Sequence, residues 1–162
     1  MWGPQASIVT DDDEEIYAAV EEWQDCIIEI ILDSGACRHV MARESAPGYA
    51  VHESPGSRRG QNFIVGNGER VPNEGQMALS LETEVGGGVT ALLGTTFQVA
   101  DLTRPLMSVS QVCEQGLHCV FESTHALIVN AAGETVCRFE KEGQLFVAKM
   151  TLKAPGSFAR PS

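Results

Sequence analysis

Asp33 is the residue best placed to do chemistry in this chain, because it directly follows the apolar run Ile27, Ile28, Ile30, Ile31 and Leu32. A carboxylate at the end of a buried strand is partly desolvated, which costs free energy unless hydrogen bonds or a role compensate. Ser34 adds a hydroxyl that can hydrogen-bond in a buried setting, and Gly35 lets the chain turn tightly or lets another backbone approach. By itself an Asp-Ser-Gly triplet fits a structural turn as well as an active site. The other reactive side chains form no comparable set. Cys37 and His39 are i,i+2 neighbours, which is not a conventional activated thiol pair. His118, Cys119 and His125 lack metal-ligand spacing, and no Cys-x-x-Cys occurs among the five cysteines. Gly86-Gly87-Gly88 is followed by no Lys or helix, as a phosphate loop would be. The residues call for neither a metal nor a cofactor.

The elements that must hold Asp33 are strands. Its own strand starts at Cys26 and is nearly continuous in apolar residues, as a strand buried on both faces would be. Residues 43–60, with Pro47, Gly48, Pro55, Gly56 and Gly60, read as an irregular surface stretch. Phe63-Ile64-Val65 and Glu69 to Pro72 flank Gly66-Asn67-Gly68, a hairpin signal. A second hairpin has arms near Gln76–Val85 and Val89–Val99. Ser110 is positioned to cap a short helix running to about Gln115, and Gly116 stops it. Leu117–Phe121, Ala126–Asn130, Val136–Phe139 and Gln144–Lys149 read as further strands. The expected domain spans 26–150, between an acidic segment over 1–25 and a loose tail over 151–162. An amphipathic helix is expected over Asp11–Trp23, with Ile16, Ala19, Val20 and Trp23 on one face.

Composition narrows the function classes. With 162 residues the chain has room for one domain able to bury a core without staples. Its net charge of −11 has its largest source between Asp11 and Asp25, where no Lys or Arg intervenes. Such a run repels phosphates, and no basic stripe elsewhere supports nucleic-acid binding. No apolar span is long enough for a bilayer, and the odd, scattered cysteines fit reduced thiols in an intracellular, cytoplasmic setting.

The stretch Ile30-Ile31-Leu32-Asp33-Ser34-Gly35-Ala36-Cys37-Arg38-His39-Val40-Met41 resembles the active-site segment of copia-type retrotransposon proteases. There an apolar strand leads into Asp-Ser-Gly-Ala or Asp-Ser-Gly-Cys, followed by a His and a Met. Leu106-Met107-Ser108-Val109-Ser110-Gln111-Val112 is similar to the family's second element, with Pro105-Leu106-Met107 in place of Asn-Leu-Leu. Val65-Gly66-Asn67-Gly68 looks like its Val-Gly-Asn-Gly stretch. The resemblance covers Ile27 to about Lys149.

The resemblance implies an all-β, retropepsin-like acid-protease barrel with a flap hairpin, one short helix and an active site at a homodimer interface. The strand after that helix would thread behind the active-site loop. Because the chain holds one Asp-Ser-Gly, the catalytic dyad would take Asp33 from each of two copies. Ser34, Gly35 and Ala36 would form the active-site loop, with Ser34 tying the two loops together. Gly66, Asn67 and Gly68 would close over substrate as a flap, Leu106 would line a side-chain pocket, and Thr103 and Arg104 would stand at its rim. The implied activity is endoproteolysis of a retrotransposon polyprotein, in the cytoplasm or within virus-like particles. The alternative is a catalytically inactive or domesticated dimerisation or peptide-binding module that keeps Asp33 for structural reasons.

Overall fold

The computed structural model describes residues 23–156. Of the helix expected over Asp11–Trp23, only Trp23 lies among them, and the rest falls outside the described residues. Strand β1 (Cys26–Asp33) is not buried on both faces throughout. It alternates as far as Glu29, with Ile27 64% exposed, and burial becomes continuous only over Ile30–Leu32. The change falls where a second neighbour arrives. Beyond the antiparallel partner shared by its whole first part, Ile31 also begins to pair on the other side.

That second neighbour is a short strand from far along the chain. The elements after β1 are β2 (Val40–Met41), α1 (Pro55–Arg58), β3 (Asn62–Ile64), β4 (Arg70–Pro72), β5 (Gly75–Gly86) and β6 (Val89–Val99). There follow β7 (Leu106–Ser108), α2 (Val109–Glu114), β8 (His118–Phe121), β9 (His125–Val129), β10 (Thr135–Glu142) and β11 (Leu145–Leu152). Pairing runs β1-β7-β2-β6-β5-β11, and β11 pairs back onto β1, so these strands form a hydrogen-bonded ring. From β11 the same nine-stranded sheet continues through β10 and β9 to β8, while β3 and β4 form a separate two-stranded sheet. The chain is therefore mostly β, as expected.

Among the described residues two short α-helices occur rather than one. α1 lies in the stretch read as irregular, where Ser54 caps Pro55 and the Ser54 and Ser57 side chains each accept the other's backbone N–H. α2 starts earlier than expected, because Ser108 and not Ser110 is its cap. The last strand also outruns its expected end and continues through Thr151 and Leu152. Just past it, Lys153 Nζ and the Ala154 N–H both donate to the Asp25 carboxylate, at 2.8 and 2.7 Å, fastening the two ends of the described chain together.

The main core fills the space inside these strands. Ile30, Leu32, Met77, Leu81, Phe97, Phe139 and Met150 are all buried within one cluster. A smaller cluster of Val40, Val71 and Ala100, with Phe63, Val65 and Leu102 against it, lies at the base of the β3–β4 hairpin. No helix among the described residues is long and apolar enough to cross a membrane. Phe139 is fully buried and sits on β10, one of the strands beyond the ring. Replacing it with Ala is expected to destabilise the whole domain by about 3–5 kcal/mol. Urea unfolding should show one shifted transition, whereas a separate early step would mean that β8–β10 fold independently.

Candidate active site

β1 delivers Asp33 to a position next to Ser108, the last residue of the parallel strand β7. β7 also pairs with β2, so it lies between the strand that enters the loop after Asp33 and the strand that leaves it. Residues 34–39 must therefore cross over the end of β7. The strand behind the loop thus precedes α2, rather than following it as the resemblance implied. Asp33 is half-buried, and its Oδ1 accepts the Gly35 N–H at 2.7 Å. A Cβ at Gly35 would stand 3.3 Å from that same oxygen, so glycine leaves the carboxylate its room.

The crossing loop is fixed by an exchange of hydrogen bonds with the start of α2. Ser108 Oγ donates to the Ala36 carbonyl at 2.7 Å and accepts the Gln111 N–H at 3.0 Å. The Ser108 N–H donates to His39 Nδ1 at 2.9 Å, and the His39 N–H donates to Gln111 Oε1 at 2.8 Å. In an ordinary capping box the third-residue Gln would take the cap's own N–H. Here both groups turn instead to His39. Ser108 and His39 are buried, at 0% and 2% exposure, so losing any one partner strands a buried polar atom at a cost of about 1–3 kcal/mol.

His39 must be neutral to hold this arrangement, because a backbone N–H can only donate and Nδ1 must receive it. Burial, with a smaller contribution from the Arg38 guanidinium, pushes its pKa down to about 4. Its ring lies against Phe97, with centroids 5.1 Å apart. A committed Nδ1 also removes His39 as a base for Cys37, which is exposed.

A groove of about 860 Å³ opens in front of Asp33. It brings together Asp33, Gly35, Ala36, Gly66, Asn67, Thr103, Arg104 and Leu106, and leaves out Ser34 and Gly68. Ser34 is exposed and lines a second hollow that also reaches Asp33. β3 and β4 also line the groove, through Asn62, Phe63, Ile64 and Val71. Their turn is closed by Gly68 N–H to Val65 O (2.8 Å) and Val65 N–H to Glu69 O (3.0 Å), and Gly68 takes φ +86°. That is a type I turn with a glycine bulge, which explains why Gly68 serves the turn while Gly66 and Asn67 face the groove. Arg104 at the rim is engaged with Glu29 at 3.3 Å, an exposed pair worth at most about 1 kcal/mol.

The sequence does not mark Ser108 and Gln111 as site residues, whereas His39, expected to hold a structural rather than a catalytic role, is held by hydrogen bonds to both. A local signal exists all the same: Ser108-Val109-Ser110-Gln111 has the Ser-x-x-Gln form of a helix start. Phe63, Ile64 and Asp101, which also line the groove, gave no such signal. Among the described residues no group of three or more His, Cys, Asp or Glu is arranged to hold a metal ion. No family model, curated protein or solved structure matches the chain.

His39 makes stability depend on pH in a defined direction. As pH falls below 6.5 the unfolded chain gains a proton at this residue, while the folded chain does not until about pH 4. The folded state therefore loses roughly 3 kcal/mol across that window and keeps it above. His39→Asn can retain an acceptor without titrating. Its stability, followed by denaturant unfolding from neutral to acid pH, should fall less steeply than that of the wild type. Parallel curves would show that His39 does not carry this dependence.

Proposed function

We propose that the chain is an aspartic endopeptidase of the retropepsin type, with an active site assembled from the Asp33 carboxylates of two copies. The observation that carries this reading is the placement of Asp33. It lies half-buried on a loop braced from behind, in an open groove that a hairpin also lines. A groove of about 860 Å³ lined by both the Asp33 loop and the β3–β4 hairpin suits an extended peptide, whose backbone would run between the two. The ring of strands with β7 between β1 and β2 is compatible with a retropepsin-like barrel.

The chemistry follows from two carboxylates held close. Like charges at that distance cannot both ionise, so the pair keeps one proton and titrates as a unit. The ionised carboxylate takes a proton from a water lying between them, and the water oxygen bonds to the scissile carbonyl carbon. The protonated partner hydrogen-bonds the carbonyl oxygen and stabilises the charge that develops there. Transfer of a proton to the amide nitrogen then lets the C–N bond break, which restores the shared proton. Gly35 leaves space for substrate backbone beside the dyad. Gly66 and Asn67 cover the peptide and exclude water, and Leu106 receives a side chain next to the cleaved bond. The sequence resemblance to copia-type proteases makes a retrotransposon polyprotein the proposed substrate.

Asp33→Asn removes the titrating group with little change in shape. Cleavage of unstructured peptides between pH 4 and pH 7 should fall by about 10²–10⁴-fold or more in kcat/KM. Circular dichroism and urea unfolding should match the wild type. Equal residual cleavage by both proteins would sink the catalytic reading. Peptide binding without cleavage by either would point to the non-catalytic module instead.

A further inference from the structure

Resting on the dimeric reading above, we infer that the second copy seats on the apolar hollow formed by Phe121, Leu145 and Phe146 beside Ser34. The strands that follow α2 would then build the dimer interface. The hollow measures about 600 Å³ and shares Ile31, Asp33 and Leu106 with the substrate groove, so Asp33 borders both. Among its lining residues only Asp33 is charged. Phe121 and Leu145 are 45% and 39% exposed, and the Phe121 ring stands edge-on to Phe146 with centroids 5.2 Å apart. Two aromatic rings and a leucine gathered in one open hollow are what a buried contact uses, and what a free surface seldom gathers.

The neighbouring backbone points the same way. Phe121 ends β8, the terminal strand of the nine-stranded sheet, which pairs only with β9 among the described residues. β8 reads His-Cys-Val-Phe, with Val120 also exposed and without the Lys or Pro that blunts a free edge. The proposed chemistry fixes which copy must sit here. The dyad is incomplete without a second Asp33, and a two-fold contact that places Asp33 near Asp33 must cover the surfaces beside it. Ser34, exposed in the same hollow, would then meet its counterpart. Val89 and Leu92, near the bend of the β5–β6 hairpin, are also exposed at 59% and 54%. They line neither the groove nor the hollow, so docking there would leave each Asp33 alone.

Leu145→Glu tests this, with Leu145→Ser as a milder second variant and Val89→Glu as a control of equal charge. Sedimentation at rising concentration should show the wild type and Val89→Glu as dimers. Leu145→Glu should raise the dimer dissociation constant at least about tenfold, and Leu145→Ser should raise it less. Both should keep the wild-type circular dichroism. Dimerisation of Leu145→Glu at wild-type strength, or a wild-type chain that stays monomeric, would overturn the inference. Cleavage separates it from the protease reading. Full Asp33-dependent cleavage by Leu145→Glu would remove this interface and leave the enzyme. A dimer broken by Leu145→Glu but inert towards peptides would keep the interface and remove the enzyme.

Discussion

The loop that carries Asp33 has to cross the end of β7, and the way it is held there constrains everything else around the site. A crossing loop exposes its backbone groups to a strand end and a helix start, two places already rich in unpaired donors and acceptors. Ser108 resolves both at once, capping α2 while holding the Ala36 carbonyl. His39 and Gln111 complete the exchange from either side. Because these bonds are reciprocal and wholly or partly buried, the loop has few alternative positions, and Asp33 inherits that rigidity. The same arrangement needs a neutral imidazole, so acid conditions work against the loop that holds Asp33.

Rigidity is not shared equally across the groove. The side that carries Asp33 rests on the main core through Ile30, Leu32 and Met107, whereas the two-stranded β3–β4 hairpin is attached through a small cluster around Val71. Ile64 on that hairpin is 67% exposed and borders the groove. A two-stranded ribbon has little stability of its own, so its opening is a low-cost motion compared with any movement of the Asp33 side. On the protease reading, a carboxylate held by the main core beside a less firmly held hairpin is the arrangement that closing over a peptide would use.

The cations that line the groove sit in exposed ion pairs. Arg104 pairs with Glu29 at 3.3 Å and Arg38 with Glu114 at 3.6 Å, and both arginines also line the groove with Asp33. Among the residues lining the hollow beside Ser34 only Asp33 is charged, and the Lys141 ammonium stands over the Phe146 ring, 5.9 Å from its centroid. On the dimeric reading, the apolar border beside Asp33 is the surface that a second copy would cover.

The sequence by itself determined the β character, the Asp33 turn at the end of a buried strand, both hairpins and the helix that ends at Gly116. Each is written in local signals: alternation, glycine-centred turns and apolar runs. It also contained the Ser-x-x-Gln start of α2, although Ser110 competes for the same role and only the folded backbone chooses Ser108. Tertiary structure alone decided that β7 slips between β1 and β2, because a three-residue strand pairs across some seventy residues with no local mark of its partner. It likewise decided that His39 faces inward onto Ser108 and Phe97, and that Phe121, Leu145 and Phe146 meet beside Ser34. Local pattern sets what each segment can be. Which segments touch depends on long-range pairing and burial, and a chain read in order does not display them.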